Sequence, residues 1–333
     1  MLQKVAIIYN EPLPGCYKDA GEEKAVLGVL DEVEAVHSAL EKLGYSVERV
    51  PLLPPLESAG EKLKSLQVDL VFNLFEGFSG SPESEAAIAD ILSKLGKVYT
   101  GCPARVLSEA LDKADVKATL QRDGIGTPRY QLLSPETVSE FHLGYPCIVK
   151  PCREDASHGL SEESVVNDFT ALEQQVARVT KRFGGKAIVE EFVEGREFNA
   201  TVLGTSPPTV LPISEIVYSM PPGMPKVLTF SAKWEPESAY FQYTSVVCPA
   251  EVEPRAHKLI TDTAVSVFQL LNCSGYARVD LRLDAQGNPK VLEMNPNPDI
   301  SPGSGAARQA EASGMTYAQF VETIIRLAVE RPR

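Results

Sequence analysis

The sequence predicts an α/β chain in which a parallel-sheet region is followed by two α+β regions. Three observations carry that reading. Strand-like and helix-like patterns alternate over roughly the first hundred residues. The patterns then become shorter and antiparallel in character, and the last third contains a two-stranded ribbon of alternating apolar and polar residues.

Taken in order, Lys4 to Tyr9 is a short apolar run that reads as a buried strand. Val26, Leu30, Val33, Val36, Leu40 and Leu43 then recur at helical spacing until Gly44 stops them. Val47 to Leu52 and Val68 to Leu74 read as further strands, Glu83 to Leu95 as a helix ended by Gly96, and Val98-Tyr99 as a short strand. The Pro51 to Pro55 stretch is a connection within this βαβ unit, because strand and helix signals resume at once.

A second region, from about Asp112 to Phe192, holds a helix to Asp123, a break at Gly124 to Pro128, a strand from Pro146 to Lys150 and a polar loop. A helix from Asp168 to Phe183 and a strand from Ala187 to Phe192 complete it. The third has strands at Glu197 to Leu203 and Thr209 to Ile213, then an irregular segment from Ser219 to Ala232 of a length typical of functional loops or disorder. A strand near Tyr240 to Val247, a helix from Glu251 to Leu271, the ribbon and two closing helices follow. The expected divisions are residues 1–105, 106–192 and 193–333.

Composition narrows the function classes. A chain of 333 residues with 44% apolar content can bury a full core. Its formal charge of -13 argues against nucleic acid or an anionic membrane as main partner, while a nucleotide held with Mg²⁺ stays compatible. The six cysteines form no C-x-x-C pair and read as free thiols in a reducing compartment. No stretch approaches the length of a membrane span and the start is too soon broken for a signal peptide, so the expected location is cytoplasmic.

The ribbon, Tyr276 to Asn295, carries the first chemical signal. With a loop over Ala285, Gln286, Gly287 and Asn288, the antiparallel register pairs Leu281 with Leu292, Asp280 with Glu293, Val279 with Met294 and Arg278 with Asn295. One face then carries Val279, Leu281, Leu283, Leu292 and Met294; the other sets two carboxylates opposite each other beside an amide and a guanidinium. Opposed like charges are unfavourable in a sheet. A hard divalent cation with oxygen ligands, Mg²⁺ above all, would remove that penalty. A solvated polar face on which Arg278 pairs with either acid accounts for the same residues equally well.

Other candidates stand at element ends. Lys150 closes an apolar strand before a loop containing Ser157 and Gly159, where an ammonium and backbone N–H groups would suit a polyphosphate. Lys113 and Lys233 are further cations, each reading as a surface lysine when taken alone. The connector Glu190-Glu191-Phe192-Val193 to Glu197 offers alternate peptide groups for an adenine edge and a carboxylate for ribose hydroxyls, though acids there also suit a plain surface.

Together these blocks resemble the ATP-grasp superfamily and, within it, the D-alanine–D-alanine ligase family. The residues that carry the resemblance are Val71 to Gly77, Tyr99 to Gly101, Leu111 to Lys113, Val149 to Glu154, Glu190 to Glu197, Ala232-Lys233, Cys248 to Ala250, Gly275 to Asp280 and Leu292 to Asn295, in order over nearly the full length. The resemblance implies an ATP-grasp fold, with an N-terminal parallel-sheet domain and two α+β subdomains that sandwich ATP. It implies Asp280, Glu293 and Asn295 as ligands of Mg²⁺ (or Mn²⁺), Lys113, Lys150 and Lys233 at the ATP phosphates, and Glu190, Glu191, Val193 and Glu197 at adenine and ribose. Arg278 would face the acyl phosphate and the tetrahedral intermediate. The implied chemistry is carboxylate activation by ATP followed by attack of an amine, with small-molecule substrates and the homodimerisation typical of the family.

The departures fall at the amino-acid sites. Asn10 to Gly15 replaces the family's Gly-rich donor motif, Glu76-Gly77 its His-Gly, Ala156 its phosphate-loop serine, and Trp234 its tyrosine. Pro296 to Ser304 replaces the segment at the acceptor, with Asp299 in place of a glycine and Ser304 keeping its position. The expectation is therefore a ligase whose substrates are not two D-alanines, with Glu76, Trp234, Asp299 and Ser304 at the substrate and Glu76 and Asp299 receiving a cationic or amino group. The alternatives are a D-alanine–D-alanine ligase with drifted motifs and a nucleotide sensor without chemistry.

Overall fold

The computed structural model describes residues 3–12, 20–154 and 159–331. Its N-terminal layer is a three-stranded parallel sheet of order β2-β1-β3, built from β1 (Lys4–Asn10), β2 (Ser46–Leu52) and β3 (Leu70–Leu74). Nearly every residue of β1 and β3 is buried, as a parallel sheet covered on both faces requires. Helices α1 (Ala20–Lys42), α2 (Leu56–Ser65) and α3 (Ser84–Lys94) supply the covers, and Val98-Tyr99 contributes only an isolated bridge to Val71.

Helices α4 (Ala104–Ala110) and α5 (Lys113–Arg122) lead into a four-stranded sheet. It comprises β4 (Tyr130–Leu133), β5 (Cys147–Pro151), β6 (Val165–Val166) and, after α6 (Phe169–Phe183), β7 (Ala187–Glu191), in the antiparallel order β4-β7-β5-β6. Asp112 caps α5 by accepting from the N–H groups of Ala114 and Asp115, which fixes Lys113 at the first helical position.

The third sheet has the order β11-β10-β8-β12-β13, with β9 against β8. Its strands are β8 (Glu197–Leu203), β9 (Thr209–Val210), β10 (Ser214–Tyr218), β11 (Thr244–Val247), β12 (Tyr276–Leu283) and β13 (Pro289–Asn295). Short helices α7 (Phe230–Trp234) and α8 (Ala239–Gln242) precede β11, α9 (Pro254–Leu270) packs beneath, and α10 (Gly305–Ala312) and α11 (Tyr317–Glu330) end the order. Two expectations are corrected here. Tyr240 sits in α8, so the strand expected near it begins only at Thr244; and the strand expected over Thr209 to Ile213 is two residues long, because the pairing continues in β10.

Among the described residues no helix is long and apolar enough to cross a membrane. Cys102, Cys147, Cys152, Cys248 and Cys273 are free thiols. One core unites the N-terminal sheet with the end of the chain: Val5, Ile7, Val33 and Phe72 share a cluster with Phe320, Val321 and Ile324 of α11.

Gly275, before β12, has φ +71°, and a Cβ there would lie 2.9 Å from the carbonyl oxygen of Gly101. Only glycine fits both constraints. Gly275→Ala is expected to destabilise the protein by at least about 1–3 kcal/mol, the cost of a strained backbone conformation. Urea denaturation measures this as a lower midpoint at unchanged slope.

Candidate active site

The ribbon delivers its polar face as the sequence implies, up to one point. Arg278 faces Asn295, Val279 faces Met294 and Asp280 faces Glu293, but a β-bulge after Asp280 makes Leu281 pair with Val291 rather than Leu292. The bulge corrects the expected core face. Val291 is fully buried in the core, while Leu292 lines a cleft together with Glu293. The loop spans five residues, since Leu283 pairs with Pro289.

That cleft, about 790 Å³ including space open to solvent, runs between the second and third sheets. It collects Lys113 from the start of α5, Lys150 from β5, Glu190 from β7, Lys233 from α7, and Asp280 and Glu293 from the ribbon. Residues up to 180 positions apart thus share one wall-to-wall site, since Lys113 Nζ lies 3.6 Å from a Glu293 oxygen. Burial opposes the ionisation of Glu293, yet Lys113, Lys150, Lys233 and Arg278 together hold its carboxyl down to about 2. Burial, with Arg278 nearby, lowers the Lys233 ammonium from its ordinary value.

Arg278 donates to both oxygens of Asp280 at 2.8 and 2.9 Å, and Asn199 of β8 donates to Asp280 Oδ1 at 2.6 Å. Among the described residues no three His, Cys, Asp or Glu side chains group as a metal site. The oxygen set available is two opposed carboxylates with Asn295 two residues along β13, a chemistry that fits a hard cation.

The residues expected at adenine and ribose are more tied up than the sequence implies. Glu190 is fully buried, with Lys150 Nζ at 3.1 Å and Lys117 Nζ at 3.3 Å. Glu197 accepts from Tyr218 Oη at 2.8 Å and from Nε and Nη2 of Arg282 at 2.9 and 2.7 Å. Arg282 also donates to the carbonyls of Val193 and Lys226 and lies over the rings of Phe192 and Tyr218. Glu191 pairs with exposed Arg129 outside this network and also borders the cleft. Ser157, with Asp155 and Ala156, lies outside the described residues.

The residues expected at the substrate stand apart from this cleft. Trp234 packs its ring 3.5 Å from where a Cβ on Gly28 would be, so α7 is docked on α1, and its Nε1 is buried without a partner among the described residues. Ser304 Oγ donates to the carbonyl of Asp299 at 2.9 Å. Glu76 and Asp299 are both exposed, and both converge electrostatically on a residue the sequence reading missed, Glu32 of α1. Lys117, Arg282 and Asn199 were missed as well. The signal for Glu32 was present, since it interrupts the apolar helical face of Val29, Val33 and Val36; Arg282 is likewise a charge inside an apolar strand.

Comparison with known proteins gives the following. The family model described as the D-ala D-ala ligase C-terminus matches residues 120–326. An uncharacterised protein of Sinorhizobium fredii, y4sG, is 33% identical over 262 residues, covering 79% of this chain and 75% of that protein. The D-alanine–D-alanine ligase of Cupriavidus necator is 30% identical over 280 residues, covering 83% of this chain and 80% of the ligase. Among solved structures, the D-alanine–D-alanine ligase of Bacillus anthracis complexed with ATP superposes with a TM-score of 0.76 at 20% identity, over 99% of this chain and 97% of that one. The VanG D-Ala:D-Ser ligase of Enterococcus faecalis gives a TM-score of 0.76 at 20% identity, over 98% and 100%.

Proposed function

Because the chain belongs to the D-alanine–D-alanine ligase family and is an ATP-dependent, ADP-forming carbon–nitrogen ligase of the ATP-grasp fold, we propose that it joins the carboxylate of one small amino acid to the amino group of a second, D-alanine being the first candidate for both. Family membership sets aside the reading as a nucleotide sensor. The observation that carries the proposal is the convergence of Lys113, Lys150, Lys233, Asp280 and Glu293 on one cleft, with Arg278 at its edge on Asp280.

In this reading the three lysines offset charge on the phosphoryl group as it passes from ATP to the substrate carboxylate. Asp280, Glu293 and Asn295 would hold Mg²⁺, which supplies further charge neutralisation when bound. Arg278 stabilises the oxyanion that develops when the amine attacks the acyl phosphate. Arg282 orients Glu197 and caps the Val193 carbonyl at the end where adenine and ribose would lie. Closure of the cleft protects the acyl phosphate from water.

The expectation that the substrates are other than two D-alanines draws no support from the comparisons, which favour the D-alanine reading. It stands as a second reading on one observation: Trp234 packs against Gly28 of α1 and Asp299 acts electrostatically on Glu32 of the same helix, both at positions where the sequence departs from the family. Incubation with ATP, Mg²⁺ and D-alanine, with product mass spectrometry and phosphate release, is expected to show D-alanyl-D-alanine at a turnover on the order of 1 per second or faster. Phosphate release with a mixed pool of amino acids but no dipeptide from D-alanine would favour the second reading.

A further inference from the structure

The N-terminus of α5 is closed by the segment that follows β5. A helix begins with backbone donors that have no partner inside it. At α5 the N–H of Lys113 donates to the carbonyl of Cys152 at 3.1 Å, and the N–H groups of Ala114 and Asp115 donate to Asp112 Oδ1 at 3.0 and 3.3 Å. Cys152 also grips from the other side, since its Sγ donates to the same Asp112 oxygen at 3.2 Å. It thus holds the helix end twice, as acceptor through its backbone and as donor through its thiol.

The environment keeps the thiol in the form that can donate. Burial, with the bond to Asp112 adding to it, pushes Cys152 up to about 11, so the sulfur carries its proton at neutral pH. Asp112 Oδ1 therefore joins two helical N–H groups and one S–H from a strand end that lies 40 residues along the chain.

Neither Asp112 nor Cys152 is among the residues that line the cleft, but both adjoin residues that are. Lys113 follows Asp112, and Lys150 and Pro151 lead into Cys152. Lys113 Nζ also donates to the carbonyl of Glu154, two residues past Cys152, and lies 3.6 Å from a Glu293 oxygen. A lysine is a point charge on a flexible stem, so where its backbone is held decides where the charge can stand. The junction between α5 and the end of β5 consequently sets the separation of the Lys113 and Lys150 ammoniums.

We propose that Asp112 and Cys152 are positioning residues for the phosphates of ATP, their thiol-to-carboxylate bond fastening the start of α5 to the end of β5 so that Lys113 and Lys150 meet the phosphates together. The assignment rests on the reading above that these lysines face ATP, and deepens it by naming what holds them in place. Its effect falls on a ligand that carries phosphates and spares the nucleoside alone.

Calorimetric titration of the full chain with ATP and Mg²⁺, and separately with adenosine, tests it. Cys152→Ala removes the donor, and Asp112→Ser keeps a helix-capping oxygen but withdraws it from Cys152. Each is expected to weaken ATP binding about three- to tenfold, the scale of one hydrogen bond, with adenosine affinity within twofold of wild type. Cys152→Ser retains a donor and should bind ATP within twofold of wild type. The double variant Cys152→Ala with Asp112→Ser should bind ATP no more weakly than the weaker single variant, because both changes remove the same bond. ATP binding unchanged in both single variants, equal losses for ATP and adenosine, or losses that add in the double variant would overturn the assignment. A wild type that binds no ATP overturns it together with the ligase reading. The expected pattern in a protein that makes no dipeptide from D-alanine removes the proposed substrates and leaves Asp112 and Cys152 in their role.

Discussion

Arg278→Met is expected to lower kcat by about 10²–10³-fold, the usual loss when one donor to a developing oxyanion is removed. The ATP KM should change little, because Arg278 is not among the residues that line the cleft. Asp280 makes the experiment demanding: it loses a bidentate partner at 2.8 and 2.9 Å and keeps only Asn199 as donor. Leaving a partly buried carboxylate unpaired also destabilises the fold, so melting is measured beside kinetics. Methionine preserves the bulk of the stem while removing the fork, and lysine, a point charge without that fork, should restore only part of the rate. Steady-state phosphate release with saturating ATP decides it. An Arg278→Met enzyme with wild-type kcat and unaltered melting would sink the assigned role.

The second large effect is on stability. Glu190→Gln leaves Lys117 and Lys150 without their shared carboxylate, at 3.3 and 3.1 Å, in a fully buried position. Breaking such a pair from one side costs about 3–5 kcal/mol. Burial already lowers the Lys117 ammonium to about 8 against the support of Glu190, so the variant should favour a neutral Lys117. Burial of Glu190 itself opposes ionisation, but the two lysines outweigh it and hold its pKa below the ordinary 4.5. The contribution is therefore present above about 4.5 and lost as pH falls through the depressed folded value. Denaturant midpoints of wild type should drop on acidification below that point more steeply than those of Glu190→Gln. Parallel pH profiles for the two proteins would refute the role given to this pair.

These effects also show where the sequence was legible. The βαβ order of the first region and the Arg278–Asp280 and Glu293–Asn295 blocks could be read because each depends on local periodicity or on pairing across a short turn. What escaped depends on long-range neighbours. Leu292 leaves the core because a bulge shifts the register after Asp280, and nothing in the alternation of the ribbon announces it. Glu197 looks like a free ribose ligand until the fold brings Arg282 to it, 85 residues along the chain. Lys117 sits one turn beyond Lys113 on the same helix, yet only the arrival of β7 turns it from a surface cation into the partner of Glu190. Glu32 needed the loop at Ile300, 268 residues away.

The core shared by the N-terminal sheet and α11 bears on how the molecule is made. Phe320, Val321 and Ile324, which share a core with Val5, Ile7 and Phe72, follow them by roughly 250 residues or more during synthesis. The first sheet therefore cannot mature on the ribosome as an independent N-terminal unit, the usual order for multi-region chains. Its apolar face waits for α11, and a nascent chain stalled before residue 317 would be a client for chaperones.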